Sequence, residues 1–178
     1  RRVLFRSTYQ GTFVYSQGDR LETMRITHVS DEGGMRERLV SLSGAPGEML
    51  RDSNGVRWAL GDGASVLADS GFKRPFFPAL PENHEDRAGS SYLFKFGGES
   101  MIAGHMARNI KVVPRDHYRY GYSLWLEENS GLLLKWELVD HERKPLARLM
   151  FTDFRMGSEV DVGELVPGSQ LKKFRTVE

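Results

Sequence analysis

The feature that most constrains the fold is a period-two alternation on both sides of Asn129-Ser130-Gly131, in YRYGYSLWLEENSGLLLKWELVD at residues 118–140. In the second arm, Leu132, Leu134, Trp136 and Leu138 fall on one side, and Lys135, Glu137 and Val139 on the other. In the first arm, Tyr120, Tyr122, Leu124 and Leu126 alternate with Arg119, Gly121, Ser123 and Trp125. A strand sends successive side chains to opposite faces, so both arms read as strands with one buried face. Their cross-strand pairs are expected to form an apolar wall on one side of a curved sheet.

The same pattern recurs along most of the chain. YQGTFVYS (9–16) sets Tyr9, Gly11, Phe13 and Tyr15 on one side, and RLETMRITHV (20–29) separates Met24, Ile26 and His28 from Arg25 and Thr27. The link between them, SQGD, is a hairpin signal. MRERLVSLSG follows DEGG, and EMLRD and VRWAL flank Asn54-Gly55, the favoured turn pair for a hairpin. ASVLAD, SYLFKFGG, HMARNIKVVPR and KPLARLMFTDF add further strands. The connections are short and no strand–helix alternation appears, so the sequence predicts an antiparallel meander. After Gly157 the pattern weakens to one more candidate strand before Pro167-Gly168-Ser169.

One segment breaks the rhythm. SGFKRPFFPALPENHEDRAGSS (70–91) holds Pro75, Pro78 and Pro81, which donate no ladder hydrogen bonds, so it is no central strand. Pro81 and the acidic residues after it could open a short helix. Leaving Phe76, Phe77 and Leu80 in water forgoes roughly 1.5–3 kcal/mol each. The segment is therefore expected to fold back over the sheet, as a functional lid or as a plug that closes the core.

The 178 residues suit one domain with a real core. No apolar run reaches the roughly 18 residues of a membrane span. Residues 1–7, RRVLFRS, carry no apolar signal-peptide core. One codon choice for them spells the end of a common sequencing adaptor, so the natural chain is expected to run upstream from Thr8. Without Arg1, Arg2 and Arg6 the charge balance changes from 25 basic against 24 acidic to 22 against 24. The pI of about 8.2 is then no evidence for nucleic acid, and no basic, aromatic-interleaved stripe argues for it. With no cysteine, disulfides, thiolate metal sites and cysteine nucleophiles are excluded.

Catalytic signals are weak. His28, His84, His105, His117 and His141 form neither H-x₃-H nor HExxH, so no metal site is expected. GDGAS and FGGES lack the lysine and the strand-to-helix context of a phosphate cradle, and SLSGAPG is no nucleophile elbow. Glu127 and Glu128 sit beside a turn and read as solvated charge. No catalytic residue and no cofactor are assigned. What remains is the aromatic and aliphatic wall, which is either plain core or a partly covered face suited to an acyl chain or an apolar peptide.

The strings RNIKVVPRDHYRYGYSLWLEENSGLLLKWELVDHERKPLARLMFTDF, YQGTFVYSQGDRLETMRITH, MRERLVSLSGAPGEMLRD and KRPFFPALPE together resemble the MucB/RseB family, in order, from about Tyr9 to Gly157. The resemblance implies a mainly β domain with few helices: an antiparallel, unclosed half-barrel like the lipoprotein carrier LolA, with a lid or helical segment over its concave face. It assigns residues 8–160 to that domain and 161–178 to the start of a linker toward a further domain. It implies a periplasmic regulator of the envelope-stress sigma factor that binds the periplasmic part of an RseA/MucA-like anti-sigma factor and protects it from proteolysis. Lipid or lipopolysaccharide acyl chains relieve that protection, and homodimerisation stays open. A LolA-type lipid carrier is the alternative, and a hydrolase a third. The expected ligand-binding residues are Phe76, Phe77 and Leu80 in the lid, and Phe94, Phe96, Tyr122, Leu124, Leu134, Trp136 and Leu138 in the wall. No nucleic acid and no metal are implied.

Overall fold

The computed structural model describes residues 8–60, 65–68, 91–157 and 160–166. Eleven strands carry them: β1 (Tyr9–Gln17), β2 (Arg20–Asp31), β3 (Gly34–Ser41), β4 (Gly47–Asp52), β5 (Gly55–Leu60), β6 (Ser65–Ala68), β7 (Tyr92–Ile102), β8 (His105–Pro114), β9 (Gly121–Glu127), β10 (Leu133–Val139) and β11 (Pro145–Met156). They form one unclosed sheet in the order β6-β5-β4-β3-β2-β1-β11-β10-β9-β8-β7. The order follows from the short links: each arm pairs with its sequence neighbour, and only the β1–β11 pair joins distant parts of the chain. This is the antiparallel meander expected from the alternation. The expected lid, with Phe76, Phe77 and Leu80, lies outside the described residues.

The chain divides into two compact units. Among the described residues, one comprises 8–13, 22–60, 65–68, 153–157 and 160–166, the other 14–21 and 91–152. In the first, Ile26, Leu39 and Met49 lie directly opposite one another across β2, β3 and β4 and are at most 3% exposed. Burying such side chains contributes roughly 1.5–3 kcal/mol each.

Beside that row, His28 faces Glu37, with Nδ1 3.1 Å from Oε2, and both are buried. Tyr9 stacks on His28 at 4.8 Å and tilts against Phe154 at 5.8 Å. Burial, and then the nearby Glu37 charge, push the Tyr9 phenol well above its ordinary value.

The one-buried-face expectation fails in β2. Ile26, Thr27, His28 and Val29 are all buried, so both faces are covered. On the second face Arg38 pairs with Glu48 at 2.6 Å and donates to the Glu164 carbonyl at 2.8 Å. Glu164 belongs to a 3₁₀ turn, Val162–Leu165, in which the Gly163 N–H donates to the capping Asp161 side chain. That turn stands where a further strand was expected. It contacts β3, so a segment far away in sequence adds cover to the charged face of β3.

Two of the hairpin turns share one device. Asp31 and Asp52 each accept a hydrogen bond from the N–H two residues on, Gly33 at 2.9 Å and Asn54 at 2.8 Å. Each also binds the arginine five residues on, Arg36 and Arg57. Asp52 lies opposite Gly55, so the two loop residues are Ser53 and Asn54, one position earlier than the Asn54-Gly55 pair expected. Gly55 follows the loop with φ of 128°, a left-handed backbone that favours glycine.

Candidate functional site

The second unit holds the wall. Register sets two rows of directly opposed residues across β7 to β11, all on one face because opposed residues share a side. The first row is Phe96, Ile110, Leu124, Trp136 and Leu149. The second is Phe94, Val112, Tyr122, Leu138 and Ala147. Of the expected residues, Tyr122, Leu124, Trp136 and Leu138 therefore meet, and Phe94 and Phe96 extend the same face.

Exposure is low at the β11 end of both rows and high at the β7 end. Leu149 is 2% exposed, Trp136 8% and Leu124 5%, Ile110 is half-buried, and Phe96 is 81% exposed. Phe94 is 60% exposed beside buried Val112. The wall is thus packed toward β11 and open toward β7, the last strand in the order. Tyr15 stands 6.4 Å from Trp136. Burial, and then Tyr92, raise the Tyr122 phenol above its ordinary value.

Leu134 is fully buried but is not directly opposed to any β9 residue. Leu133 faces Leu126 and Lys135 faces Trp125, so Leu134 is the extra residue of a β-bulge. Tyr120, placed on the wall by alternation, precedes β9 and is 54% exposed. The face opposite the wall carries charge: Lys135 lies 4.0 Å over the Trp125 ring, and Glu137 pairs with Lys135 at 3.1 Å and Arg148 at 3.2 Å.

Two local devices hold these rows in place. The register shifts between Phe96 and Glu99, and a Cβ at Gly97 would stand 2.2 Å from Asn109 Oδ1. Asn109 is buried and donates from Nδ2 to the Leu124 carbonyl at 3.3 Å. Glycine is what lets the edge strand pass over this side chain.

At the other end, Glu127 is buried, against the expectation of solvated charge. Its Oε2 accepts from Ser130 N and Ser130 Oγ, each at 2.6 Å, and from Asn129 N at 3.1 Å, while Oε1 accepts from Asn129 Nδ2 at 3.2 Å. Burial works to raise its pKa, but these bonds from Ser130 and Asn129 outweigh it and hold the carboxyl below its ordinary 4.5.

Sequence reasoning missed Ile110, Val112, Ala147 and Leu149, although NIKVV and LARLM carry the needed alternation. It also missed that the Trp136 indole N–H is buried without a hydrogen-bond partner. Among the described residues, no group of three or more His, Asp or Glu side chains is placed to hold a metal.

Comparison with known proteins places this geometry. Residues 4–169 match the family model of the MucB/RseB N-terminal domain. The Sigma factor AlgU regulatory protein MucB of Pseudomonas aeruginosa is 34% identical over 167 residues, covering 92% of this chain and 51% of that protein. The Sigma-E factor regulatory protein RseB of Haemophilus influenzae is 29% identical over 138 residues, covering 78% and 44%. The structure of the Pseudomonas aeruginosa MucA/MucB complex superposes with a TM-score of 0.76 at 33% identity, covering 93% of this chain and 57% of that one. A structure of MucB in complex with MucA(peri) gives a TM-score of 0.73 at 31% identity, covering 92% and 55%. The chain spans about half the length of the curated relatives it matches.

Proposed function

This chain belongs to the MucB/RseB N-terminal domain family, and from that premise we propose that it is the lipid-sensing part of a periplasmic negative regulator of an envelope-stress sigma factor. In this reading it helps bind a MucA-like anti-sigma factor and keeps that factor from proteolysis. Acyl chains bind the wall of β7 to β11 and weaken the anti-sigma contact. A ligand can do so only through unequal affinity for the two states.

The observation that carries the reading is the graded wall: rows that begin as closed core at Leu149 and Ala147 and end as open aromatic surface at Phe96 and Phe94. A contiguous apolar face of this kind is where an apolar ligand gains most from leaving water. The relatives' names support the regulatory half, since both are sigma-factor regulatory proteins. The MucA complexes support the choice of partner.

The test is calorimetric titration of this chain with the periplasmic segment of a MucA-like protein, with and without a short-chain acyl lipid. The reading expects binding of each, and at least a fivefold loss of peptide affinity when lipid is saturating. Binding of both with no mutual effect would contradict it. Lipid binding with no peptide binding would instead indicate a carrier.

A further inference from the structure

β7 ends the sheet, and among the described residues no strand pairs with its outer edge. Ahead of the register shift between Phe96 and Glu99 it presents a regular stretch, Tyr92–Phe96. The Arg115 N–H donates to the Ser91 carbonyl at 2.9 Å. Main-chain groups alternate in direction along an antiparallel strand, so Leu93 and Lys95 turn theirs toward β8. Tyr92, Phe94 and Phe96 therefore aim their N–H and C=O groups outward from the sheet. Such an edge is a template for another chain, and a lysine on it often serves only to keep strands away. Lys95 does not stand alone, however, because a second lysine faces it.

On the face opposite the wall, register sets Lys95, Lys111, Ser123, Glu137 and Arg148 in one row. Glu137, the acid of that row, is already shared by Lys135 and Arg148. Lys95 and Lys111 oppose each other directly, and among the described residues no carboxylate pairs with either. Like charges directly opposite are destabilising. On the wall face, the apolar rows stop at the exposed rings of Phe94 and Phe96. One more strand, acidic on the first face and apolar on the second, would neutralise the lysines and cover the rings.

We infer that the Tyr92–Phe96 edge of β7 binds an extended protein segment of the pattern apolar–acidic–apolar, added to the sheet as a further strand. The acid stands opposite Lys95, and its apolar neighbours stand opposite Phe94 and Phe96. Because Lys95 turns its main-chain groups inward, it takes the closely spaced, non-hydrogen-bonded position toward an added antiparallel strand, where side chains lie nearest. Main-chain hydrogen bonds supply affinity, and the alternating side chains supply specificity. A second copy of β7 fits less well, since mating Phe94 with Phe96 across a two-fold axis sets Lys95 against Lys95. No lipid takes part, so this contact stands or falls apart from acyl binding.

The experiment titrates the ¹⁵N-labelled full chain, at low salt, with acetyl-Thr-Val-Glu-Val-Thr-amide and with the same peptide carrying Lys in place of Glu. The Tyr92, Phe94 and Phe96 amide resonances should move, because their N–H groups gain acceptors. The Glu peptide should bind about fivefold more tightly than the Lys peptide. Lys95→Glu should reverse that preference. Phe94→Pro removes an outward N–H and spares the ladder to β8, so it should abolish binding while the β8 to β11 resonances stay in place.

No shift in β7 at millimolar peptide would overturn the inference. So would equal binding of the two peptides, or a preference that Lys95→Glu leaves unchanged. Retained binding in Phe94→Pro would place the peptide elsewhere and overturn it as well. Shifts of the same amides on concentrating the protein alone would give the edge to a second copy, against the inference.

Discussion

Glu127→Gln should destabilise this chain by about 2 kcal/mol at neutral pH. The carboxylate accepts four hydrogen bonds inside the β9–β10 turn, two of them at 2.6 Å from Ser130. The other two come from Asn129. Hydrogen bonds to a charged acceptor contribute roughly 1.5–3 kcal/mol. Gln keeps the shape, but its NH₂ opposes a donor on one side, and its neutral oxygen accepts more weakly on the other. For a chain of this size that loss lowers the melting temperature by about 4–8 °C.

The pH dependence has a definite sign. The Glu127 carboxyl titrates lower in the folded chain than when unfolded, so its contribution is complete above the unfolded value. It is lost as pH falls through the folded one. Urea melts of wild type and variant at pH 7 and at pH 3 should therefore show a gap that shrinks with acid. A gap under about 0.3 kcal/mol at pH 7, or one that grows on acidification, would refute the account of this turn.

Gly97→Ala should cost about 1–3 kcal/mol, read in the same melts, because its Cβ would press on buried Asn109, while Gly98→Ala, with nothing near its Cβ, should cost less. Leu134→Ala should cost about 2–5 kcal/mol, since the fully buried bulge residue leaves a cavity in a sheet that cannot readily close over it. Phe96→Ser should leave the melting temperature within about 2 °C of wild type, because the ring is mostly exposed, but should weaken acyl-lipid binding several-fold in calorimetry.

Much of the sheet was legible because alternation reports directly on which face is buried. The hairpin from β9 to β10 was read from Tyr122, Leu124, Trp136 and Leu138, and register confirms those pairs. Parity stops being readable where a bulge adds a residue. Leu134 and the Phe96–Glu99 shift each change the count by local backbone geometry that no residue type announces except Gly97. The double burial of β2 was hidden for another reason. Part of the cover on the Arg38 face comes from Glu164, 126 residues away along the chain. Glu127 misled because its charge is satisfied by turn groups beside it, so its burial depends on hydrogen bonds rather than hydropathy. Two other loops did carry a signal: D-x-x-G-x-R occurs at Asp31–Arg36 and again at Asp52–Arg57, and both copies fold into the same Asp-capped hairpin loop.

The most direct measurement of the central claim is an NOE experiment between a short-chain acyl lipid and methyl-labelled protein. The account predicts contacts from the acyl methylenes to Ile110, Leu124 and Leu138, which share the wall, and none to Leu50 or Val113. Contacts confined to Leu50 or Val113, or no intermolecular contact at saturating lipid, would contradict it.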